Sequence, residues 1–373
     1  MRYFILIALS SLFAASASAH PDHNEVGMRQ EAAAMAAAAD AFLATLDEDQ
    51  RNNVQFDLQD RDAREGWSNL PTALAPRTGL QIATLNDAQR IALHGLLARA
   101  MSSEGYGEAM HIMTLEPYLR ANLDSWIDEQ SAGMSDEDRA QAMAIAVSFD
   151  PENYWVRIFG EPASGTWSLV LDGHHLAITT TLIEGRIAFT PVFLGNNPQT
   201  IQSGIYAGRR SLQHELNSVA DLMATLDADQ ISMLAQSPDR RAAIEFAGPG
   251  WVPDLDAEPV GLSTADLNED QQFLLHRAIR EFIGVATSSA ADAHMAQIES
   301  DGMDRINLAW WGDYTDLSLP FMLRISGPSL HIDFAREGSA GDANHFHIVI
   351  RDPANDYGER WLQGHYEEAH GAE

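Results

Sequence analysis

Two histidines one residue apart, His345 and His347, are the sharpest chemical feature of this chain. They lie in Asn344-His-Phe-His-Ile-Val-Ile-Arg-Asp352, where Phe346, Ile348 and Ile350 take every second position. That alternation marks a half-buried strand and puts both imidazoles on the face opposite the apolar one. Two neutral ring nitrogens side by side suit one metal ion or one bound anion, and packing requires neither. A second pair, His174-His175, follows Gly173; alternation gives His174 the face of Leu176 and Ile178, and His175 the face of Ala177. One metal should then be held by one of these neighbours, unless a bulge at Gly173 re-aims a ring. The candidate metal ligands are His174, His175, His345 and His347, for a divalent ion, zinc first and iron or copper second. The catalytic candidates are Glu116, Arg351 and Asp352. A carboxylate such as Glu116, Asp172 or Asp352 would complete the shell or act as base, and Arg351 would fix a substrate carboxylate or phosphate. The plainer reading of Arg351-Asp352 is a local ion pair closing the strand end.

The elements that must position these residues occur twice. Phe42-Leu-Ala-Thr-Leu-Asp-Glu-Asp-Gln50 returns as Leu222-Met-Ala-Thr-Leu-Asp-Ala-Asp-Gln230, an offset of 180. Gly79-Leu80, Asn86, Gln89 and His94 return as Gly261-Leu262, Asn268, Gln271 and His276, an offset of 182. Amphipathic helices are expected over 88–101 and 270–282, behind asparagine caps. Strands should follow at 154–159, 167–181 and 187–194 in the first copy, and at 305–311, 321–334 and 345–351 in the second. The fold class is therefore α+β, an internal duplication in which each copy is a helical layer followed by an antiparallel β meander. The expected organisation is a signal peptide (1–19), a flexible N-terminus (20–30), copy one (31–200, with an extra helical segment at 121–149) and copy two (215–365). The two copies should pack as one pseudo-symmetric unit.

The duplication makes each copy a control for the other. Gly173-His-His-Leu176 corresponds to Gly327-Pro-Ser-Leu330, so the turn needs glycine and leucine but not histidine. Phe189-Thr-Pro-Val-Phe193 corresponds to Asn344-His-Phe-His-Ile348, again without histidine. Side chains that the fold omits at an equivalent position are better candidates for function than a lone core histidine. By the same reasoning the mid-helix His94 and His276 read as packing or surface groups.

Composition narrows the partners. Arg2, the apolar run to Ala15 and Ala17-Ser-Ala19 read as a secretory signal, which places the mature chain in the periplasm or outside the cell. No later run is long enough for membrane insertion, and no cysteine is present. Fifty-four acidic residues against 23 basic ones give a net charge of −31, which repels nucleic acid and anionic membranes. A small-molecule substrate of unknown identity is the remaining partner class. Phosphate loops, His-Glu-x-x-His, Gly-x-Ser-x-Gly and calcium loops are absent.

Several blocks together carry a resemblance: Ile158-Phe-Gly-Glu-Pro162, Trp167, Gly173-His-His-Leu176, Thr190-Pro-Val-Phe-Leu-Gly-Asn-Asn-Pro198, Ile325-Ser-Gly-Pro328, Asp342-Ala-Asn-His-Phe-His347, Arg351-Asp352 and Asp356-Tyr-Gly358. Across essentially the whole mature chain the sequence resembles the secreted family known as domain of unknown function 3500. The resemblance implies that His174, His175, His345, His347 and Arg351, which fall in its signature blocks, matter. It implies no particular reaction. The expectation that follows is a metal-dependent enzyme of the cell envelope, hydrolytic, with its histidines at the junction of the copies. The alternatives are a non-metal histidine and arginine site for an anionic small molecule, and a binding or scaffold protein without chemistry.

Overall fold

The computed structural model describes residues 23–130, 132–237, 260–338 and 344–370. The expected signal segment and most of the loop before His345 lie outside them. Among the described residues, thirteen strands form one sheet. In the first half these are β1 (Gln55–Phe56), β2 (Leu80–Gln81), β3 (Tyr154–Glu161), β4 (Thr166–Gly173), β5 (Leu176–Ile183), β6 (Arg186–Ala188) and β7 (Val192–Asn196). In the second they are β8 (Ala235–Ser237), β9 (Leu262–Ser263), β10 (Asn307–Gly312), β11 (Phe321–Gly327), β12 (Leu330–Glu337) and β13 (His345–Arg351). The order across the sheet is β1-β3-β4-β5-β7-β13-β12-β11-β10-β8. Pairing is antiparallel except at the two ends, where β1 joins β3 and β8 joins β10 in parallel. The two meanders therefore merge into one sheet at the β7–β13 seam, where His347 lies opposite Gly195.

The helices are α1 (His23–Ala44), α2 (Glu48–Val54), α3 (Arg61–Glu65), α4 (Asp87–Ala100), α5 (Ser103–Gln130), α6 (Asp136–Ser148), α7 (Gln213–Met223), α8 (Ala228–Leu234), α9 (Glu269–Ile283), α10 (Ser288–Asp301) and α11 (Glu359–His370). Helix α1 starts at His23, because Met28, Ala32 and Met35 continue a stripe that is buried in the core. The expected flexible stretch is thus helical from His23 on. The extra segment at 121–149 is the second half of α5 together with α6. Asn86 and Asn268 accept from the backbone of Gln89 and Gln271, closing capping boxes on α4 and α9. Each of those glutamines also pairs its amide with a second one, Gln89 with Gln50 at 2.6 Å and Gln271 with Gln230 at 2.8 Å. Among the described residues, no helix is long and apolar enough to cross a membrane.

Alternation sorts the sheet into two faces. One carries Tyr154, Val156, Leu176, Ile178, Ile332 and Ile348 into the large core beneath the helices. The other carries a small apolar cluster around Phe193, Ala335 and Val349, covered by Trp67, whose ring lies 5.9 Å from that of Phe193. The rest of this second face is unusually polar for a buried surface. Asp172 takes Arg77 at 2.8 Å and Arg157 at 3.0 Å, all three side chains being sealed from solvent. The histidines of β13 belong to this polar face.

Candidate metal centre

The site is assembled at the seam of the two meanders. His174 and His175 form the two-residue turn between β4 and β5, with Gly173 and Leu176 as its closing pair. The β11–β12 turn closes in the same way with Gly327 opposite Leu330. Gly173 is required here, because a Cβ would stand 2.3 Å from the Tyr154 ring. His175 adopts φ 60°, a left-handed conformation uncommon for residues other than glycine, asparagine and aspartate. Backbone bonds fix it there: the Gly195 N–H donates to the His175 carbonyl at 2.7 Å, and the His175 N–H donates to Asn69 at 3.3 Å.

That conformation sends the paired rings toward different neighbours. His174 meets Glu116 of α5, its Nδ1 2.8 Å from Oε1, and lies against Phe149. His175 reaches across β7 to β13, where its Nε2 is 3.0 Å from His345 Nε2. The division follows the strand parity expected from the sequence. Because the two residues occupy a turn, their rings nonetheless stack, with centroids 3.8 Å apart. His175, His345 and His347 each present a ring nitrogen within 4.8 Å of the others, and Glu116, His174 and His175 form a second such group. His175 belongs to both.

Gly195 makes the trio fit. A Cβ at this position would lie 2.8 Å from His347 Cδ2 and 3.0 Å from His175 Cδ2, so the close approach of the two rings needs a glycine in mid-strand. On the far side of β13, Glu337 Oε1 lies 3.4 Å from His347 Nδ1. His175 and His347 are only 4% and 3% exposed, while His345 is half-buried at the open end. Burial, followed by the neighbouring His174, His345 and His347, pushes the His175 pKa well below the usual histidine value. Its ring is therefore neutral at neutral pH, the form that binds metals.

Glu116 is 1% exposed. The Tyr154 hydroxyl donates to the His174 carbonyl at 2.8 Å and lies 3.4 Å from Glu116 Oε1. Burial, then the Glu116 charge, pushes the Tyr154 pKa well above the usual range, keeping it a neutral donor. Glu116 Oε2 has no hydrogen-bond partner among the described residues.

The other candidates lie elsewhere. Arg351 is six residues beyond His345 on the same strand, about 20 Å at the usual rise. Its Nε binds Asp356 at 2.5 Å, so the local ion pair exists but its partner is Asp356 rather than Asp352. Asp352 sits next to it, with Oδ2 4.0 Å from His294 Nε2. Asp172 is held by its two arginines. Arg351 and Asp352 thus lie toward the other end of β13, and the Asp172 carboxylate is taken up by arginines. Gly195, Tyr154 and Glu337 belong to the site's surroundings without having been expected there. Of these only Gly195 left a sequence signal, a glycine inside a run of strand-forming residues.

Fold and site together define a mixed α+β protein, built on one mostly antiparallel sheet, with a buried histidine cluster at its central seam. The chain belongs to the family described as Protein of unknown function (DUF3500), whose model matches residues 28–359. No curated protein and no solved structure matches the chain.

Proposed function

We propose that this protein is a metal-dependent hydrolytic enzyme of the cell envelope, with a divalent ion, zinc first, held by His175, His345 and His347. The observation that carries the reading is the convergence of these three histidines from one strand, β13, and a strained turn distant from it in sequence. Ligands about 2.0–2.1 Å from zinc stand about 2.9 Å apart at a right angle and about 3.4 Å apart at the tetrahedral angle. The 3.0 Å between His175 and His345 falls in that interval. Glu337 stands beside His347 Nδ1, as a carboxylate stands beside a metal-bound histidine in the usual carboxylate–histidine arrangement. Three protein ligands leave a position for water, whose pKa a bound zinc lowers to about 7.

Glu116 and His174 are the proton-handling pair. With the carboxylate ionised, His174 Nδ1–H donates to Glu116 and Nε2 remains an acceptor beside the His175 ring. The unpartnered Glu116 Oε2 supports the same assignment, since a carboxylate oxygen this deeply buried is costly to leave idle. Arg351 has no part in this site.

The same reading takes the chain as an internal duplication, exported by its N-terminal signal. The repeated phrases, the paired glutamine amides of α4 and α9, and a strand order that reads alike outward from the β7–β13 seam support it. The site would then be one that a duplicated scaffold acquired at its own junction.

One observation favours a second reading. Two neutral imidazoles 3.0 Å apart also fit an N–H···N hydrogen bond, as in a metal-free histidine cluster that binds a small molecule. The deciding experiment is a panel of carboxylic and phosphoric esters offered to chelator-stripped protein before and after reloading with zinc, iron or copper. Turnover that returns with one metal, and is absent from the Glu116→Gln variant, supports the enzyme. Hydrolysis indifferent to chelation would overturn it.

A further inference from the structure

We infer that a cavity of about 390 Å³, at the other end of β13 from the histidine cluster, is a binding site for a small molecule with an apolar body and a hydrogen-bond-donating head, a hydroxyl or an ammonium group. The inference does not rest on the metal reading. The cavity lies between α1, β6, α10 and α11 and is of the size that takes a compact ligand.

Its walls are apolar: Met28, Ile187 and Phe189 are buried core residues, and Trp361 closes one side with the Arg186 guanidinium 4.9 Å from its ring centroid. The charged lining has no dominant sign, since Arg29, Arg186 and Arg360 stand with Glu25, Glu184 and Asp352. Selection therefore falls to the floor, and the floor offers acceptors.

His294, Asp352 and Asn355 make that floor. His294 Nε2 lies 2.7 Å from the Ser329 carbonyl, which can only accept, so Nε2 is the donor and Nδ1 is the acceptor of that imidazole tautomer. Asp352 Oδ1 is engaged by the Ala354 N–H at 2.9 Å, which leaves Oδ2. Asn355 is 3% exposed, and its Oδ1 has no hydrogen-bond partner among the described residues. A buried amide oxygen is costly to leave in this state. A ligand donor reaching the floor would relieve that cost, whereas a carboxylate head would set one acceptor against others.

The test uses the full chain and three probes of one shape, benzyl alcohol, benzylamine and benzoate, titrated by ligand-observed NMR and calorimetry. Saturable binding of the alcohol or the amine, at least tenfold tighter than benzoate, is expected. Ala293→Trp, which fills the cavity, should abolish it, and Asn355→Leu, which removes the idle acceptor, should erase the preference over benzoate. Circular dichroism checks both variants; if either fails to fold, the wild-type preference decides. Equal or tighter binding of benzoate, no saturable binding by either donor probe, or binding that survives in a folded Ala293→Trp variant would overturn the inference.

Discussion

Replacing Gly195 by alanine is the smallest change that should disturb the proposed metal centre without touching a proposed ligand. Its backbone is not in the left-handed region, so strand geometry admits alanine, and the whole effect comes from one methyl group. That methyl would stand 2.8 Å from His347 Cδ2, 3.0 Å from His175 Cδ2 and 3.1 Å from Phe193 Cε1. Real carbon contacts are about 3.5–4.0 Å, so both rings must give by several tenths of an ångström. Ligand distances in a working site hold to about 0.2 Å. Overpacking of this kind costs about 1–3 kcal/mol. If most of that falls on the metal-bound geometry, zinc affinity drops roughly 5- to 150-fold, at about 1.4 kcal/mol per decade. The assay is competition against a chromophoric zinc chelator at neutral pH, with thermal unfolding of the metal-free proteins alongside. Gly95→Ala is the control: its methyl meets nothing within 4 Å, and in α4 it should leave zinc binding unchanged while adding up to about 1 kcal/mol of stability. Zinc binding by Gly195→Ala within about twofold of wild type would refute the argument that this glycine exists for the two histidines.

Other consequences can be measured separately. Asp172→Asn should destabilise the fold by about 3–5 kcal/mol in urea titration, because it leaves Arg77 and Arg157 buried without their shared counter-charge; a loss below about 1 kcal/mol would show the network to be dispensable. Glu108 and Glu215 face a cavity shared with Arg209, and burial raises their pKa to about 7 and about 8. A raised carboxyl pKa favours the protonated folded state, so this contribution is complete below about pH 4.5 and is lost as pH rises toward 8. Glu215→Gln should accordingly flatten the fall in stability between those limits, which denaturation across the pH range will show; an unchanged pH profile would contradict the burial argument. Tyr154→Phe should weaken zinc binding less than Gly195→Ala does, since Tyr154 steadies the His174 carbonyl rather than any proposed ligand; a larger loss would move the centre toward Glu116.

Alternation is local, and β13 runs from His345 to Arg351 as its pattern implied, whereas the stretches expected at 167–181 and 321–334 each break at a two-residue turn into two strands, β4–β5 and β11–β12. Alternation gave His174 and His175 opposite faces but left open which of them meets the site, and it could not show that a turn with φ 60° would stack the two rings. The union of the meanders was not legible. It rests on β7 pairing with β13 across some 150 residues, and nothing in either strand names its partner. Glu116 joined the histidines as expected because α5 crosses the β4–β5 turn. Arg351 did not, because a residue six places along an extended strand is carried far from its start, and Asp356 was near enough to claim its charge. Gly195 could have been singled out as a glycine inside a strand, but the two rings it makes room for come from other strands.

Whether the histidine trio holds a metal is settled by elemental analysis of the protein, purified without chelator or affinity tag, beside a His345→Ala/His347→Ala double variant. Near-stoichiometric zinc, iron or copper in the first, absent from a folded second, is the predicted result. Wild-type protein that stays metal-free after attempted reloading, or a double variant that keeps its metal, would contradict it.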